Sequence, residues 1–175
     1  MKKIKQNNKG FTLVELLITL GILSIVMVMV GAIIGMSSGT YKSISNDLNL
    51  QYESQLAMSQ IQEYVIDCNA YVASVDDAVN DTLYLYNART DGEDTVYDGY
   101  KFALDGNTMM LYTNYNLTET TFSGFTNEQP MSRNVTNFTA ELNGNSVKVT
   151  LEYKLGRETY RGVQTIAFRN PVGIL

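Results

Sequence analysis

A chain of 175 residues, 45% of them hydrophobic, has room for one ordinary domain and an appendage. It holds no histidine and a single cysteine, Cys68, which excludes a Ser-His-Asp triad, a Cys-His pair, a histidine or multi-cysteine zinc site and any intramolecular disulfide. Lys2, Lys3, Lys5 and Lys9 crowd the first ten residues without an acid, so residues 11–175 keep 13 − 4 = 9 basic groups against 18 acidic ones. That acidic balance argues against unassisted binding to DNA or anionic lipid, since neither long-range field would attract it.

The first element in chain order is an apolar run. Phe11–Gly35 contains only Thr12, Glu15, Thr19 and Ser24 as polar residues. As a helix it measures about 37 Å, enough to cross a hydrocarbon core of about 30 Å. Lysines directly before a span hold that end in the cytoplasm and place the C-terminal part outside. The run is too long for an ordinary secretory signal, and "GAIIGMSSG" is a poor small-x-small cleavage site. Glu15 is the one charge inside it, and a carboxylate at bilayer depth costs roughly 2.5–3.5 kcal/mol on insertion scales.

The junction of basic leader and apolar run, Lys9-Gly10-Phe11-Thr12-Leu13-Val14-Glu15-Leu16-Leu17, resembles the type IV prepilin signal. The resemblance covers about the first 30 residues. It implies cleavage between Gly10 and Phe11 by a prepilin peptidase on the cytoplasmic side, N-methylation of the new Phe11 terminus, and an assembly role for Glu15. Residues 11 and 15 are one helical turn apart, so an ammonium on Phe11 and the Glu15 carboxylate would share a face. In a bundle of such helices, Glu15 of one subunit could meet the Phe11 amine of the next. Attraction is strong where the dielectric is low, and a lone partner is penalised. The plainer alternative is a Glu15 near the cytoplasmic interface and partly hydrated.

Beyond Gly35, Ile44, Leu48, Met58, Ile61, Val65, Cys68, Val72 and Val75 recur mostly at threes and fours. This predicts an amphipathic continuation of the same helix to about Ala73, weakened over Gln51–Gln55 and loosened over Gly35–Gly39. Many major pilins carry a proline about where Ala32 stands; here Gly31 and Gly35 are the nearest breakers. Cys68 falls on the stripe as a small buried hydrophobe rather than a reactive thiol.

After Asp76-Asp77 the period becomes two. "TLYLY" (82–86), "YKFAL" (100–104) and "TMMLYTNY" (108–115) read as strands, the last two joined by Asp105-Gly106-Asn107, with "TTFSGF" as a candidate further strand. "NVTNFTAEL", Val147–Leu155 and "ETYRGVQTIAFRN" read as a three-stranded antiparallel meander, Val147, Val149, Leu151, Tyr153 and Leu155 on one face and Lys148, Thr150, Glu152 and Lys154 on a wet one. The apolar face needs a cover, which the amphipathic helix supplies. The expected fold is therefore α+β and pilin-like. Its parts are a cleaved leader (1–10), a transmembrane assembly helix (11–35), an amphipathic continuation (36–75) and an exported antiparallel β domain (76–175).

Other candidate sites are weaker. Asp91, Glu93, Asp94 and Asp98 in "ARTDGEDTVYDG" could crowd around calcium, but their spacing fits no EF-hand loop, and a solvated strand-linking loop is the simpler reading. Twelve tyrosines without interleaved basic residues suit sheet and core positions, Tyr64 and Tyr71 among them, better than a stacking surface. The sequons at Asn80, Asn116, Asn134 and Asn137 are expected by chance in an Asn- and Thr-rich chain.

No catalytic, cofactor or metal residue is expected, and no phosphate-binding Gly-rich loop is present. The resemblance implies a filament subunit working with prepilin peptidase, other pilin or pseudopilin subunits and an inner-membrane assembly platform. The helix-plus-meander pattern is similar to a minor pseudopilin of the J type or its competence-system relative; the leader glutamate argues against the K-type tip subunit. The competing class is a monomeric, membrane-anchored extracytoplasmic binding module, and an exported enzyme is a third. Secretion, DNA uptake, adhesion and motility stay open at this point.

Overall fold

The computed structural model describes residues 10–76 and 80–175. Among the described residues there are one helix, α1 (Leu13–Asp67), and nine strands after it. The expectation of an α+β, pilin-like architecture holds. The chain divides into two compact units, one up to Ile44 and one from Ser45.

In the first unit α1 is apolar all round, and its side chains from Leu13 to Met36 are exposed. Its hydroxyls are turned back into the helix. Thr19 Oγ1 donates to Leu16 O at 2.9 Å and Ser24 Oγ to Gly21 O at 2.7 Å. Neither hydroxyl then needs a partner from a surrounding hydrocarbon phase. The expected loosening over Gly35–Gly39 is absent: α1 runs through it unbroken. This helix fits a single-pass membrane anchor near the N-terminus.

In the second unit the rest of α1 buries Leu50, Ser54, Ala57, Met58, Ile61 and Val65. Steps of three and four set these on one stripe. Ile44 and Leu48, expected on that stripe, are instead exposed at 55% and 58%. The helix also stops earlier than predicted, at Asp67, and Tyr71–Val75 is a strand, β1. Val65, Cys68, Val72 and Val75 fit helical spacing, but backbone bonds decide otherwise. Asn69 takes the Ala88 N–H on its Oδ1 at 2.7 Å, and Ala70 N–H reaches Tyr86 O at 3.1 Å, so the chain leaves the helix to pair along a strand. The 36–75 segment is thus a helix to Asp67 followed by a strand.

The larger sheet has six strands in the order β5-β4-β3-β2-β1-β9, with β2 Thr82–Asp91, β3 Asp94–Asp105, β4 Thr108–Leu117, β5 Asn127–Arg133 and β9 Gly173–Ile174. It is antiparallel except for the β1–β9 pair. The turn between β3 and β4 lies where Asp105-Gly106-Asn107 predicted it, with Gly106 at φ +57°. The expected loop at 88–99 is mostly strand, since β2 and β3 pair out to Asp91↔Asp94. "TTFSGF" forms no strand; β5, the segment "NEQPMSR", was missed. Its Pro130 has no N–H to donate, which an edge strand tolerates.

The meander forms as predicted: β6 Val135–Asn143, β7 Ser146–Leu155 and β8 Glu158–Ala167 make a second sheet in that order. Val147, Val149, Leu151 and Tyr153 are buried, and so is Thr150 on the face expected to be wet. The four apolar residues join Met58, Ile61, Val65, Cys68 and Val72 with Phe138 and Ala140 in one core. Where α1 approaches β8, a Cβ at Gly162 would lie 2.4 Å from Ser54 Oγ, so a larger residue there would force that side chain to move. Asn80 and Asp81, just ahead of β2, fasten the two sheets together. Asp81 N–H donates to Phe138 O (3.1 Å), Phe138 N–H to Asn80 Oδ1 (3.2 Å) and Ala140 N–H to Asp81 Oδ2 (2.7 Å).

Candidate functional site

Gly10, Phe11 and Glu15 lie at the start of the first unit. Gly10 and Phe11 precede the helix, and Phe11 is 80% exposed. Thr12 stands at the N-cap and Glu15 three positions later. The Glu15 N–H donates to Thr12 Oγ1 at 3.3 Å, while Thr12 N–H and Thr12 Oγ1 both donate to Glu15 Oε2 at 3.1 Å. This is a reciprocal capping box, with two orphan donors of the first turn satisfied within the chain. The carboxylate also sits at the positive end of the helix dipole.

The single acid of the apolar segment therefore has a partner within its own chain. The structure brings Glu15 to Thr12 and leaves Phe11 outside the helix, so residues 11 and 15 are not one turn apart on a continuous helix. Thr12 was the site residue that sequence reasoning missed. Its signal was present as T-x-x-E ahead of an apolar run, the form of a capping box. Gly10, Phe11, Thr12 and Glu15 line one open concavity. The leader lysines Lys2, Lys3, Lys5 and Lys9 lie outside the described residues.

Comparison with known families matches residues 5–31 to the prokaryotic N-terminal methylation motif. The chain carries a type IV pilin-like prepilin signal. The motif spans the Gly10–Phe11 junction, the capping box and most of the apolar segment, and it implies processing by prepilin peptidase and association with the membrane. No curated protein and no solved structure matches the chain.

Away from the prepilin signal, the remaining candidates resolve into structural positions. Asp91 and Asp94 flank the β2–β3 turn, and Asp98 pairs with Arg89 Nε at 3.2 Å. Among the described residues, no three His, Cys, Asp or Glu side chains converge to hold a metal ion. Cys68 is fully buried, its thiol 3.5 Å from the carbonyls of Tyr71 and Tyr86. Burial pushes the thiol above its ordinary value, and its backbone hydrogen bonds offset only part of that. Such a thiol is a poor nucleophile. Tyr64 stacks beside Tyr100 at 4.8 Å between ring centres, and Tyr71 beside Tyr97 at 6.0 Å. Asn80 and Asn116 have side chains engaged by Phe138 N–H and Arg89.

Proposed function

We propose that this protein is a structural, minor subunit of a type IV pilus or of a type II secretion or competence pseudopilus. Prepilin peptidase cuts it between Gly10 and Phe11, Phe11 is N-methylated, and the N-terminal helix carries it into the filament. The observation that carries this reading is the methylation motif over residues 5–31, coincident with an exposed apolar segment, Phe11–Gly35, whose lone acid is Glu15. The lysine-rich leader supports a cytoplasmic N-terminus and an exported C-terminal domain. Its partners are other pilin or pseudopilin subunits and the inner-membrane assembly platform. Its work is mechanical and needs no catalytic residue of its own.

The capping box sharpens the part played by Glu15. In a lone subunit the carboxylate is held by Thr12, and assembly exchanges that bond for the amine of an adjoining Phe11. An unmatched amine in a low-dielectric bundle is heavily penalised, so the exchange rewards correct register. Intact-mass and N-terminal peptide mass spectrometry tests the reading: mature protein should begin at methylated Phe11, and Gly10→Asp should remain in the membrane uncut. Mature protein that begins at Met1 overturns it and leaves a membrane-anchored module outside any filament.

A further inference from the structure

Of the strand edges among the described residues, that of β8 is the long one left unguarded. β9 has two residues, β5 carries Pro130 and a register shift at Met109/Met110, and the outer edge of β6 is bonded through Asn80 and Asp81. β8 runs ten residues in unbroken register with β7, and its stretch from Gly162 to Ala167 holds no charge and no proline. Such devices blunt an edge because a row of open backbone groups templates another strand.

The register says which groups are open. Leu155 and Glu158 close a two-residue turn as a hydrogen-bonded pair, so bonding to β7 recurs at every second residue from Glu158. Phe168 N–H, which donates to Asn145 O at 3.0 Å, keeps the same phase at the far end. The N–H and C=O of Arg161, Val163, Thr165 and Ala167 therefore point away from β7, and they have no backbone partner among the described residues.

Beside this edge runs a cleft of about 330 Å³, walled by Gln55, Ser59 and Gln62 of α1 and by Gly162, Val163 and Gln164 of β8. None of its lining residues is charged. Gln164 Nε2 donates to Gln62 Oε1 at 2.6 Å and ties strand to helix, while Val163 is 52% exposed. A strand added at the usual spacing of about 4.8 Å would bond the open row and send alternate side chains into the cleft.

Charge says what kind of strand. Residues 146–169 hold five basic and two acidic groups, 5 − 2 = +3, whereas the rest of 45–175 holds three basic and fifteen acidic ones, 3 − 15 = −12. Lys154 and Arg157 are in no ion pair among the described residues. An acidic segment is drawn to this hairpin and repelled by the remaining surface. We propose that the β8 edge and its cleft bind an extended, acidic segment of a different polypeptide by strand addition. A second copy of this chain is a poor occupant, since pairing β8 with β8 sets two basic hairpins together.

The test uses the full-length chain in detergent, with amide hydrogen exchange read residue by residue by NMR. The probe is a blocked decapeptide of alternating valine and threonine with a glutamate at each end. At millimolar peptide the Arg161, Val163, Thr165 and Ala167 amides should exchange about tenfold more slowly, while those of Gly162 and Gln164, already bonded to β7, should change little. A peptide with lysine in place of glutamate should need about tenfold more for the same protection. Val163→Pro, which an edge strand tolerates, should abolish protection at the other three positions. A fully N-methylated acidic peptide, which keeps the charges and side chains but has no N–H to donate, tests the same bonds in the unaltered chain and should protect nothing. Absence of protection by the acidic peptide, or equal protection by the lysine or N-methylated peptide, overturns the proposal. So does protection of these four amides that rises with protein concentration in peptide-free samples, which puts a second copy on the edge.

Discussion

Replacing Asp81 with alanine removes one carboxylate and should loosen the junction between the two sheets. Asp81 Oδ2 takes the Ala140 N–H at 2.7 Å, and Ala140 is only 3% exposed, so no water stands ready to replace the lost acceptor. A buried N–H left unpaired costs about 1–3 kcal/mol. For a chain of this size that lowers the unfolding midpoint by roughly 2–12 °C. Asp81→Asn keeps an acceptor oxygen and removes the charge. Burial raises the pKa of Asp81 above 3.8, with Asp76 and Glu141 adding to it, while the Ala140 N–H works in the opposite direction. A raised folded value means the native state holds this proton more tightly than the unfolded chain does. The resulting stability is fully present below the unfolded value near 3.8 and is lost as pH rises through the folded one. At neutral pH, then, Asp81→Asn should equal or exceed wild type, and its advantage should shrink as pH falls toward 4. Thermal unfolding of the full chain in detergent, followed by tyrosine fluorescence from pH 4 to 8, checks this. An Asn variant as damaged as the Ala variant at pH 7, or a wild-type-to-Asn gap that does not change with pH, refutes the reasoning.

Two further outcomes are expected. Val149 is fully buried in the middle strand of the meander, so Val149→Asp forfeits about 1.5–3 kcal/mol of burial, adds an unpaired charge and should unfold the domain. Its neighbour Lys148 makes an exposed pair with Glu141 at 3.0 Å, and Lys148→Asp should cost about 1 kcal/mol or less in urea denaturation. Glu15→Leu should leave cleavage and membrane residence intact, because leucine inserts more readily than glutamate, yet abolish recovery in sheared filaments. Wild-type recovery of that variant would end the register role of the acid.

The prepilin signal was legible because it is local. Its motif is contiguous over residues 5–31, and the T-x-x-E cap closes within four residues. The meander was legible for a related reason: one face of β7 meets the core and the other meets water, so its alternation survives in the sequence. The β2–β3 hairpin and β5 were not. Residues 89–95 and 127–130 are exposed on both faces of their strands, so no apolar residue alternates with a polar one there.

Tertiary structure alone decided where α1 stops. Val65, Cys68, Val72 and Val75 satisfy a helix and a strand nearly equally well, and the choice passed to backbone groups of Tyr86 and Ala88, some 18 residues away, that needed partners. It also decided which face of the helix is buried. Both Leu48 and Leu50 are leucines in an amphipathic run, and only Leu50 lies on the side of Ala57, Ile61 and Val65 that meets the core. Sequence sets what each residue can bury or bond; which of two equal chances is taken depends on surfaces brought in from elsewhere in the chain.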